Sequence, residues 1–406
     1  MTNSSPLSLV WRPEDTSPAV AVAPGPVYRE DILEIIEQTI NGLDGELRQL
    51  SMDIHDHPEL AYEERHAHDV LTAFMAKHGF EVTKQYHLET AWLASYSAPG
   101  ADGRTIGINS EMDALPRVGH ACGHNLIAIA GVAVACAIKA VFEKIQDQWQ
   151  DPASRNTRCH PAPGPKGSVS LSSCLARELI EVEYFGHTAH AALSPWEGTN
   201  ALDAAVLGYN NISALRQQLR PTHRVHGVFE GKDWAANVIP DYAKFICYVR
   251  APTRAEQEQT MKRVLPCFEA AALATGCTVK ITNLGAVYDL RQNKALSDEV
   301  AHIARSKYGA VDYEWGIKSA STDFGNVTYE LPSLHPGFAI PTIVDGGNHT
   351  PGFEKAAGTM AAHYACLDVS KALAATGVRV VIDDEFYAKV QKTFEDDKAV
   401  RDLVYT

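Results

Sequence analysis

Apolar side chains recur at helical spacing through the first part of the chain. Between residues 28 and 54 they are three or four positions apart, and after Pro58 the pattern resumes to residue 78. Residues 90–96 and 105–109 have the pattern of strands, and the second leads into the acidic loop 111–116. A glycine- and histidine-rich turn then opens a long apolar helix that we expect to end near Glu143. Strand, loop and helix in this order are typical of open α/β sheets, which place their sites at strand ends.

A different pattern begins near Ala176 and predicts strands and helices in the order βαββαβ. The predicted elements are residues 178–185, 200–219, 224–229, 243–249, 255–275 and 278–282. This order is the split arrangement of a ferredoxin-like domain. After Asp289 the chain returns to helices and short strands, and it ends in predicted helices at 359–374 and 384–397. We therefore expect a larger α/β domain with a central sheet flanked by helices, into which a compact ferredoxin-like module is inserted.

The domain boundaries follow from these patterns. Residues 1–26 contain five prolines and predict a flexible leader. The larger domain is expected to occupy residues 27–175 and 290–406, and the inserted module residues 176–289.

Charge and composition narrow the classes of function. The chain has 406 residues, with 36 basic and 50 acidic side chains and a net charge of −14. This balance argues against nucleic-acid and anionic-membrane partners, which reward clustered Lys and Arg. The longest apolar run, residues 126–141, is interrupted by Lys139, so we expect a buried helix and not a membrane span. The eight cysteines form no C-x-x-C pair and no secretory signal is recognisable, so we expect reduced thiols and a cytoplasmic location.

The densest group of reactive side chains is the turn at residues 119–125, GHACGHN. Cys122 and His124 are two positions apart and can converge on one point, and a thiolate with an imidazole suits zinc. The helix that follows would lower the pKa of the thiol. Asp113, at the end of a predicted strand, is placed to accept the second ring N–H of a ligating histidine. The alternative is a histidine-rich loop with a buried cysteine.

Several histidines stand apart from this turn. His160 lies among prolines, which is compatible with a rigid ligand position, and His349 and His335 also precede or approach a proline. Each of these alone is more often a surface-loop histidine than a metal ligand. His55 and His57 resemble a ligand pair but lie where a helix packs, and we interpret them as structural.

The inserted module has its own polar group. His190 belongs to the stretch GHTAHA that follows a strand, and Asn237 and Arg250 lie near the ends of others. Together an imidazole, an amide and a guanidinium can polarise a carbonyl oxygen and clamp a carboxylate. Individually they are ordinary polar strand ends.

In order, these stretches resemble the metallopeptidase family M twenty, which contains aminoacylases, amidohydrolases and dipeptidases. The matching text is IHDHPEL at 54–60, MDALP at 112–116, HACGHN at 120–125, GHTAHAA at 186–192, NVIPD at 237–241 and NHTP at 348–351. The Cys-Gly-His form points to the amidohydrolase branch, close to its dipeptidase-like subgroup.

The resemblance implies a catalytic domain with two divalent metal ions, zinc or manganese, and a lid that also forms a homodimer. Cys122, His124, His160 and His349 match metal ligands, and Asp113 matches the carboxylate beside the metals. His190, Asn237 and Arg250 match lid residues that reach the substrate. The implied reaction is metal-assisted hydrolysis of an amide bond in a dipeptide or N-acyl amino acid.

One segment departs from the family pattern. Family members have a Glu-Glu pair that supplies the general base and a metal ligand, yet no glutamate lies between Lys144 and Cys159, and the segment looks some two dozen residues short. Three hypotheses remain open: an active hydrolase, a relative that has lost catalysis and serves binding or regulation, and an active hydrolase whose coding sequence was misread across this segment.

Overall fold

The computed structural model describes residues 25–98, 103–150, 167–312 and 320–405. The predicted leader lies almost wholly outside these residues, and so does His160. The helices are α1 (Glu30–Gly42), α2 (Asp44–Asp56), α3 (Arg65–Lys77), α4 (His124–Gln150), α5 (Ala201–Arg216), α6 (Arg254–Thr275), α7 (Lys294–Ile303), α8 (Phe324–Glu330), α9 (Pro351–Ala357), α10 (Met360–Ile382) and α11 (Asp384–Tyr405). The strands are β1 (Glu81–Lys84), β2 (Trp92–Ser95), β3 (Gly167–Ser170), β4 (Ala176–Phe185), β5 (Arg224–Gly231), β6 (Tyr242–Ala251), β7 (Thr278–Val287), β8 (Gly309–Asp312) and β9 (Gly337–Phe338).

The N-terminal apolar stripe forms two helices where the sequence pattern predicted one. Ile32, Ile36 and Ile40 are buried on α1, and Leu47 and Ile54 are buried on α2. The break falls at Leu43, because the preceding Asn41 and Gly42 are weak helix formers.

Helix α4 is the centre of the catalytic part, where it packs against α1, α2 and α10. Its segment His124–Ile145 is long and apolar enough to cross a membrane by length and composition, but 61% of that window is buried inside the structure. This is the profile of a core helix, as predicted. The helix continues to Gln150, beyond the end expected near Glu143, because the first helix-breaking residue after Glu143 is Pro152.

The inserted module has the predicted ferredoxin-like order. Its sheet has the strand order β5-β6-β4-β7, and every neighbouring pair is antiparallel. Side chains of β4 and β6 alternate between buried and half-buried, and α5 and α6 cover the buried face. Tyr184, Phe245 and Phe268 lie fully buried at its centre. The module is thus a complete small domain with its own core.

The sheet of the catalytic part is much smaller. Strand β3 pairs in parallel with β8 and, over two residues, antiparallel with β9. A separate hairpin joins β1 and β2. The predicted strand at 105–109 is wrong, because no described strand lies beside it to complete a hydrogen-bonded ladder.

The C-terminal helices were placed correctly but predicted too short. Helix α10 continues past the predicted end at residue 374, and α11 continues past residue 397. Both helices pack on the catalytic part, where α10 contacts α4 and α11 contacts α7. The fold class is that of the sequence-based expectation, an α/β catalytic part with an inserted ferredoxin-like module.

Candidate metal centre

A tight turn places Cys122 and His124 at the start of α4. The Leu115 amide donates to the Gly119 carbonyl (2.9 Å), and the Gly123 amide donates to the His120 carbonyl (2.9 Å). Gly123 has a φ of +83°, a conformation that favours glycine, and the turn depends on it. Because α4 begins at His124, its positive dipole end lies beside these two side chains.

His124 is held between two carboxylates. Its Nδ1 lies 2.8 Å from Asp113 Oδ1, and its Nε2 lies 2.9 Å from Glu111 Oε2. The His124–Asp113 contact is the one that the sequence spacing predicted, whereas the Glu111 contact was missed. Both carboxylates come from one loop, and the amide of Ala114 ties that loop to the Glu59 carbonyl (2.7 Å). The imidazole is therefore fixed in position from both ring nitrogens.

Contacts within this group raise the pKa of the histidine and lower the pKa values of the two carboxyl groups. Burial would lower the pKa of His124, but the Asp113 carboxylate, the Cys122 sulfur and the Glu111 carboxylate together raise it well above its usual range. Burial would raise the pKa values of Glu111 and Asp113, but contact with His124 lowers both. The buried loop thus concentrates negative charge around one imidazole, which is an arrangement that a cation stabilises.

His120 has a structural place in the same turn. Its ring is 1% exposed, and Nε2 lies 3.0 Å from the Ile54 carbonyl. Burial lowers its pKa to about 4, so the ring is neutral near pH 7 and donates to that carbonyl. His120 therefore attaches the turn to α2.

His335 is a half-buried imidazole near this group. Burial lowers its pKa, while the nearby charges of Glu111 and Asp323 raise it. Its Nδ1 is buried and has no hydrogen-bond partner among the described residues. A buried lone pair without a partner is costly, and a cation bound beside Glu111 would satisfy it. The sequence pattern noted His335 only as a proline-adjacent histidine.

The other predicted ligands are less closely placed. The backbone amide of His349 donates to the Ala121 carbonyl (2.9 Å), which puts this residue beside Cys122, but its side chain is exposed. Cys122 is a half-buried free thiol in contact with His124. His160 lies outside the described residues. Its role as a ligand, like those of Cys122, His124 and His349, stays a prediction.

The predicted lid residues occupy two separate places. His190 is exposed, and its Nδ1 accepts from the amides of Ala192 and Leu193, while the Asn237 carbonyl accepts from the Ala191 amide (3.0 Å). Arg250 instead lies at the base of the module, where its Nη1 donates to Ser321 Oγ of the catalytic part (2.9 Å). Arg177 pairs with Arg250 across the β4–β6 ladder, so two guanidinium groups lie close together there.

The donor set fits a divalent cation in its chemistry. It offers the thiol of Cys122, the imidazole of His124 and the carboxylates of Glu111 and Asp113 in one largely half-buried region, together with the unpaired Nδ1 of His335. Among the residues that the structure describes, however, the group of three donors within 4.8 Å of one another is Asp53, His57 and His66. Cys122, His124 and His349 are not such a group, so binding of a cation would require their side chains to move together.

Sequence reasoning missed Glu111, His335 and Ser321 as members of this region. Glu111 is two positions from Asp113, and strand alternation would place both on one face, which is the signal that could have found it. His335 and Ser321 are far from residues 111–124 in the sequence, and no local pattern connects them to that region. Their proximity is a product of the fold alone.

Comparison with known proteins gives three consistent findings. Residues 180–275 match the model of a peptidase dimerisation domain. The chain is 37% identical over 392 residues to the Xaa-Arg dipeptidase of Homo sapiens, which covers 86% of this chain and 88% of that protein. It is 24% identical over 476 residues to a p-aminobenzoyl-glutamate hydrolase of Escherichia coli, covering 89% of this chain and 95% of that protein.

Solved structures show the same fold. A dinuclear metal-binding peptidase from Bacillus subtilis, of family M twenty, has a TM-score of 0.59 at 17% identity and covers 84% of this chain and 99% of its own. An aminobenzoyl-glutamate utilization protein from Klebsiella pneumoniae has a TM-score of 0.57 at 16% identity and covers 85% and 97%.

The alignment with the human dipeptidase also measures the short segment. It spans 392 positions, whereas 86% of 406 residues is about 349, so about 43 positions, 392 less 349, face gaps in this chain. This chain is therefore shorter than that relative inside the matched region.

Proposed function

Because this chain belongs to the metallopeptidase family M twenty, we propose that its catalytic part binds divalent metal and hydrolyses the amide bond of a dipeptide or N-acyl amino acid. The observation that carries the proposal is the clamp of Glu111 and Asp113 on His124, beside Cys122 at the start of α4. A carboxylate on Nδ1, here Asp113, is the arrangement that orients a metal-ligating imidazole, and the half-buried Glu111 lies where a cation at Nε2 would be bound. The 37% identity to a dipeptidase gives the reaction class.

Cys122 and His124 are the residues that would hold the metal, with Asp113 orienting the imidazole through Nδ1. The bound ions would supply a water molecule of lowered pKa and polarise the scissile carbonyl. The thiolate and imidazole donors favour zinc over manganese. Glu111 lies 2.9 Å from the other nitrogen of His124 and is a candidate carboxylate ligand once that nitrogen turns to a cation.

The base of the lid supports binding of a substrate carboxylate. Arg250 and Arg177 are cross-strand neighbours, and Arg250 contacts Ser321 of the catalytic part. Burial lowers the pKa of Arg250, with repulsion from Arg177 adding to the effect, so a carboxylate bound there would relieve both. The acidic group of Asp323 near His335 suits a basic substrate side chain, and the Xaa-Arg dipeptidase relative supports the same class of substrate. We therefore propose dipeptides with a C-terminal arginine or lysine as substrates.

The missing Glu-Glu pair favours a second candidate function. No glutamate occurs between Lys144 and Cys159, so the chain lacks a matched general base there. Proton transfer by such a base contributes about 10²- to 10⁴-fold. The second candidate is a non-catalytic relative that retains metal or peptide binding.

Three finer proposals accompany the reaction. A homodimer through the inserted module is supported by the match of residues 180–275 to a dimerisation domain. Zinc is supported by the donor set. A cytoplasmic location is supported by the seven described cysteines, all of which are free thiols.

The test is hydrolysis of a panel of Xaa-Arg, Xaa-Lys and N-acyl amino acid substrates by purified protein with added zinc or manganese. We expect cleavage that His124→Asn abolishes and that His87→Asn, an exposed histidine on the β1–β2 connection, leaves unchanged. A second chain should carry the relative's own segment in place of residues 144–159. Activity only in this chimera would establish the non-catalytic candidate for the natural chain, and inactivity of both would refute the hydrolase proposal.

A further inference from the structure

A second group of metal-binding side chains lies where α2 ends and α3 begins. Asp53 Oδ1 is 3.1 Å from His57 Nδ1 and 3.1 Å from His66 Nε2. The two imidazole rings are 4.5 Å apart between centroids. We propose that these three residues bind a divalent cation of the zinc class, at a site distinct from the candidate centre around His124.

The geometry is close to what zinc requires. All three donor atoms lie within 4.8 Å of one another. Tetrahedral ligands at zinc bonds of about 2.0–2.1 Å are roughly 3.3–3.5 Å apart, and the carboxylate oxygen lies 3.1 Å from each of the two nitrogens, close to that spacing. Two imidazoles and one carboxylate, with a fourth position for water, form an established type of zinc ligand set.

The local structure explains why the three side chains converge. Asp53 lies in the last turn of α2 and His57 is the residue directly after the helix, so the two side chains lie together at the helix end. His66 is the second residue of α3, and its amide donates to Glu59 Oε1 (2.9 Å). The connection between the helices therefore returns His66 to the face that carries Asp53.

Oxygen atoms of Asp53 face both imidazoles. His57 Nδ1 lies 2.8 Å from the Asp53 carbonyl oxygen and 3.1 Å from its carboxylate Oδ1, and His66 Nε2 lies 3.1 Å from the same Oδ1. A single cation serves both nitrogens when His57 carries its proton on Nε2 and His66 on Nδ1. The sequence pattern assigned His57 a structural role, but His66 was not part of that reasoning.

Exposure sets the type of site. The side chains of Asp53, His57 and His66 are 40%, 59% and 37% exposed. The cation would thus be bound at the surface, with water completing its coordination, and would exchange with solvent more readily than an ion at His124. A cation bound by Asp53, His57 and His66 would link the end of α2 to the start of α3, and we call this site the clip.

Backbone contacts connect the clip to the loop of the candidate centre. The clip closes the connection at residues 57–64, in which the Glu59 carbonyl accepts from the Ala114 amide (2.7 Å). Leu60 also forms a parallel bridge with Ala114, the neighbour of Asp113. A cation that fixes this connection would therefore hold the Asp113 loop in place as well.

Metal counting on tag-free, chelator-treated full-length protein tests the proposal. In equilibrium dialysis against buffered zinc, Asp53→Asn and His66→Asn should each lose one zinc equivalent, or weaken it at least tenfold, while His87→Asn binds as the wild type does. Cys122→Ser should retain this equivalent. Because the readout is zinc bound and not turnover, failure here is distinguishable from failure of the proposed hydrolysis.

Cobalt and NMR measurements make the test independent of variant folding. Cobalt bound at the clip should lack the thiolate charge-transfer band that Cys122 would give at the candidate centre. In the wild type, zinc should shift the ring resonances of His57 and His66 together. Equal zinc stoichiometry in wild type and both variants, or zinc-insensitive ring resonances, would overturn the proposal.

Discussion

The inserted module and the sheet of the catalytic part differ in the length of their paired strands. In the module, β4 and β6 pair over ten residues, and Tyr184, Phe245 and Phe268 fill a closed core. In the catalytic part, β3 and β8 pair over four residues and β9 over two. The segment that departs from the family pattern lies directly before β3. The comparison indicates that the module has kept all its strands while the catalytic sheet is small for the helices around it.

The difference also separates two kinds of function. The strands and helices that build the module all lie within residues 176–287, and its surfaces depend on them. The candidate centre depends on loops at 111–124, 321–335 and 348–350, which the catalytic core must bring together. Loss of a segment before β3 therefore affects the centre more than the module.

The largest expected effect comes from His124→Asn. Removing the imidazole deletes a proposed ligand and leaves Glu111 and Asp113 as unpaired buried carboxylates, so metal-dependent hydrolysis should fall on the order of 10³-fold or more. Turnover with added zinc measures it, with His87→Asn as control. Hydrogen exchange of the module should not change. Equal activity in the two variants would remove His124 from the mechanism.

Truncating each core tests the comparison directly. Phe245→Ala removes a ring that is 1% exposed and packs on Phe268 and Phe229, so it should cost about 3–5 kcal/mol. Val169→Ala, 6% exposed in β3, removes far less and should cost roughly 1–2 kcal/mol. Urea unfolding gives both values, and hydrogen exchange assigns them to a region. If Val169→Ala costs more, the small sheet is the more tightly packed one.

Acid should weaken the catalytic part through His363. This ring is 0% exposed, and burial lowers its pKa although Asp44 Oδ1 lies 2.7 Å from Nε2. A histidine whose folded pKa is lowered binds its proton first in the unfolded state, so its stabilising contribution is present above about pH 6.5 and is lost as pH falls. We expect urea midpoints measured from pH 7.5 to 5.5 to fall less in His363→Asn than in His87→Asn. Parallel curves would contradict this.

The smallest effects come from two matched helix caps. Thr253 Oγ1 accepts from the Glu256 amide at the start of α6, and Thr359 Oγ1 accepts from the Ala362 amide at the start of α10. Replacing either by alanine should cost about 1 kcal/mol. Hydrogen exchange should show faster opening of the module in Thr253→Ala and of the catalytic part in Thr359→Ala. Identical exchange in both regions would mean that the chain unfolds as one unit.

Local sequence pattern was sufficient for the module. Alternation along β4 and β6 and the helical period of α5 and α6 predicted every element in order, because each pattern reports burial of one face. The strand predicted at 105–109 is wrong, because local pattern does not report strand pairing. Its residues have strand character, but a strand also needs a neighbour to pair with, and pairing is decided elsewhere in the chain.

The candidate centre was predicted in part. Cys122, His124 and Asp113 are close in sequence, and the structure places His124 in contact with the other two. Glu111 was adjacent yet missed, since two carboxylates on one imidazole were not anticipated. His349 lies beside the turn through its backbone, whereas the ligand roles of all these residues still await metal measurements.

The sequence by itself determined the two-part architecture, the family and the turn that presents a thiol and an imidazole at the start of α4. These depend on short-range order, which the spacing of residues records. Only the tertiary structure decided that Glu111 and His335 approach His124, that Arg250 reaches Ser321, and that Asp53, His57 and His66 converge. These are contacts between side chains from different elements, and their distances depend on how helices and loops pack, which residue spacing does not encode.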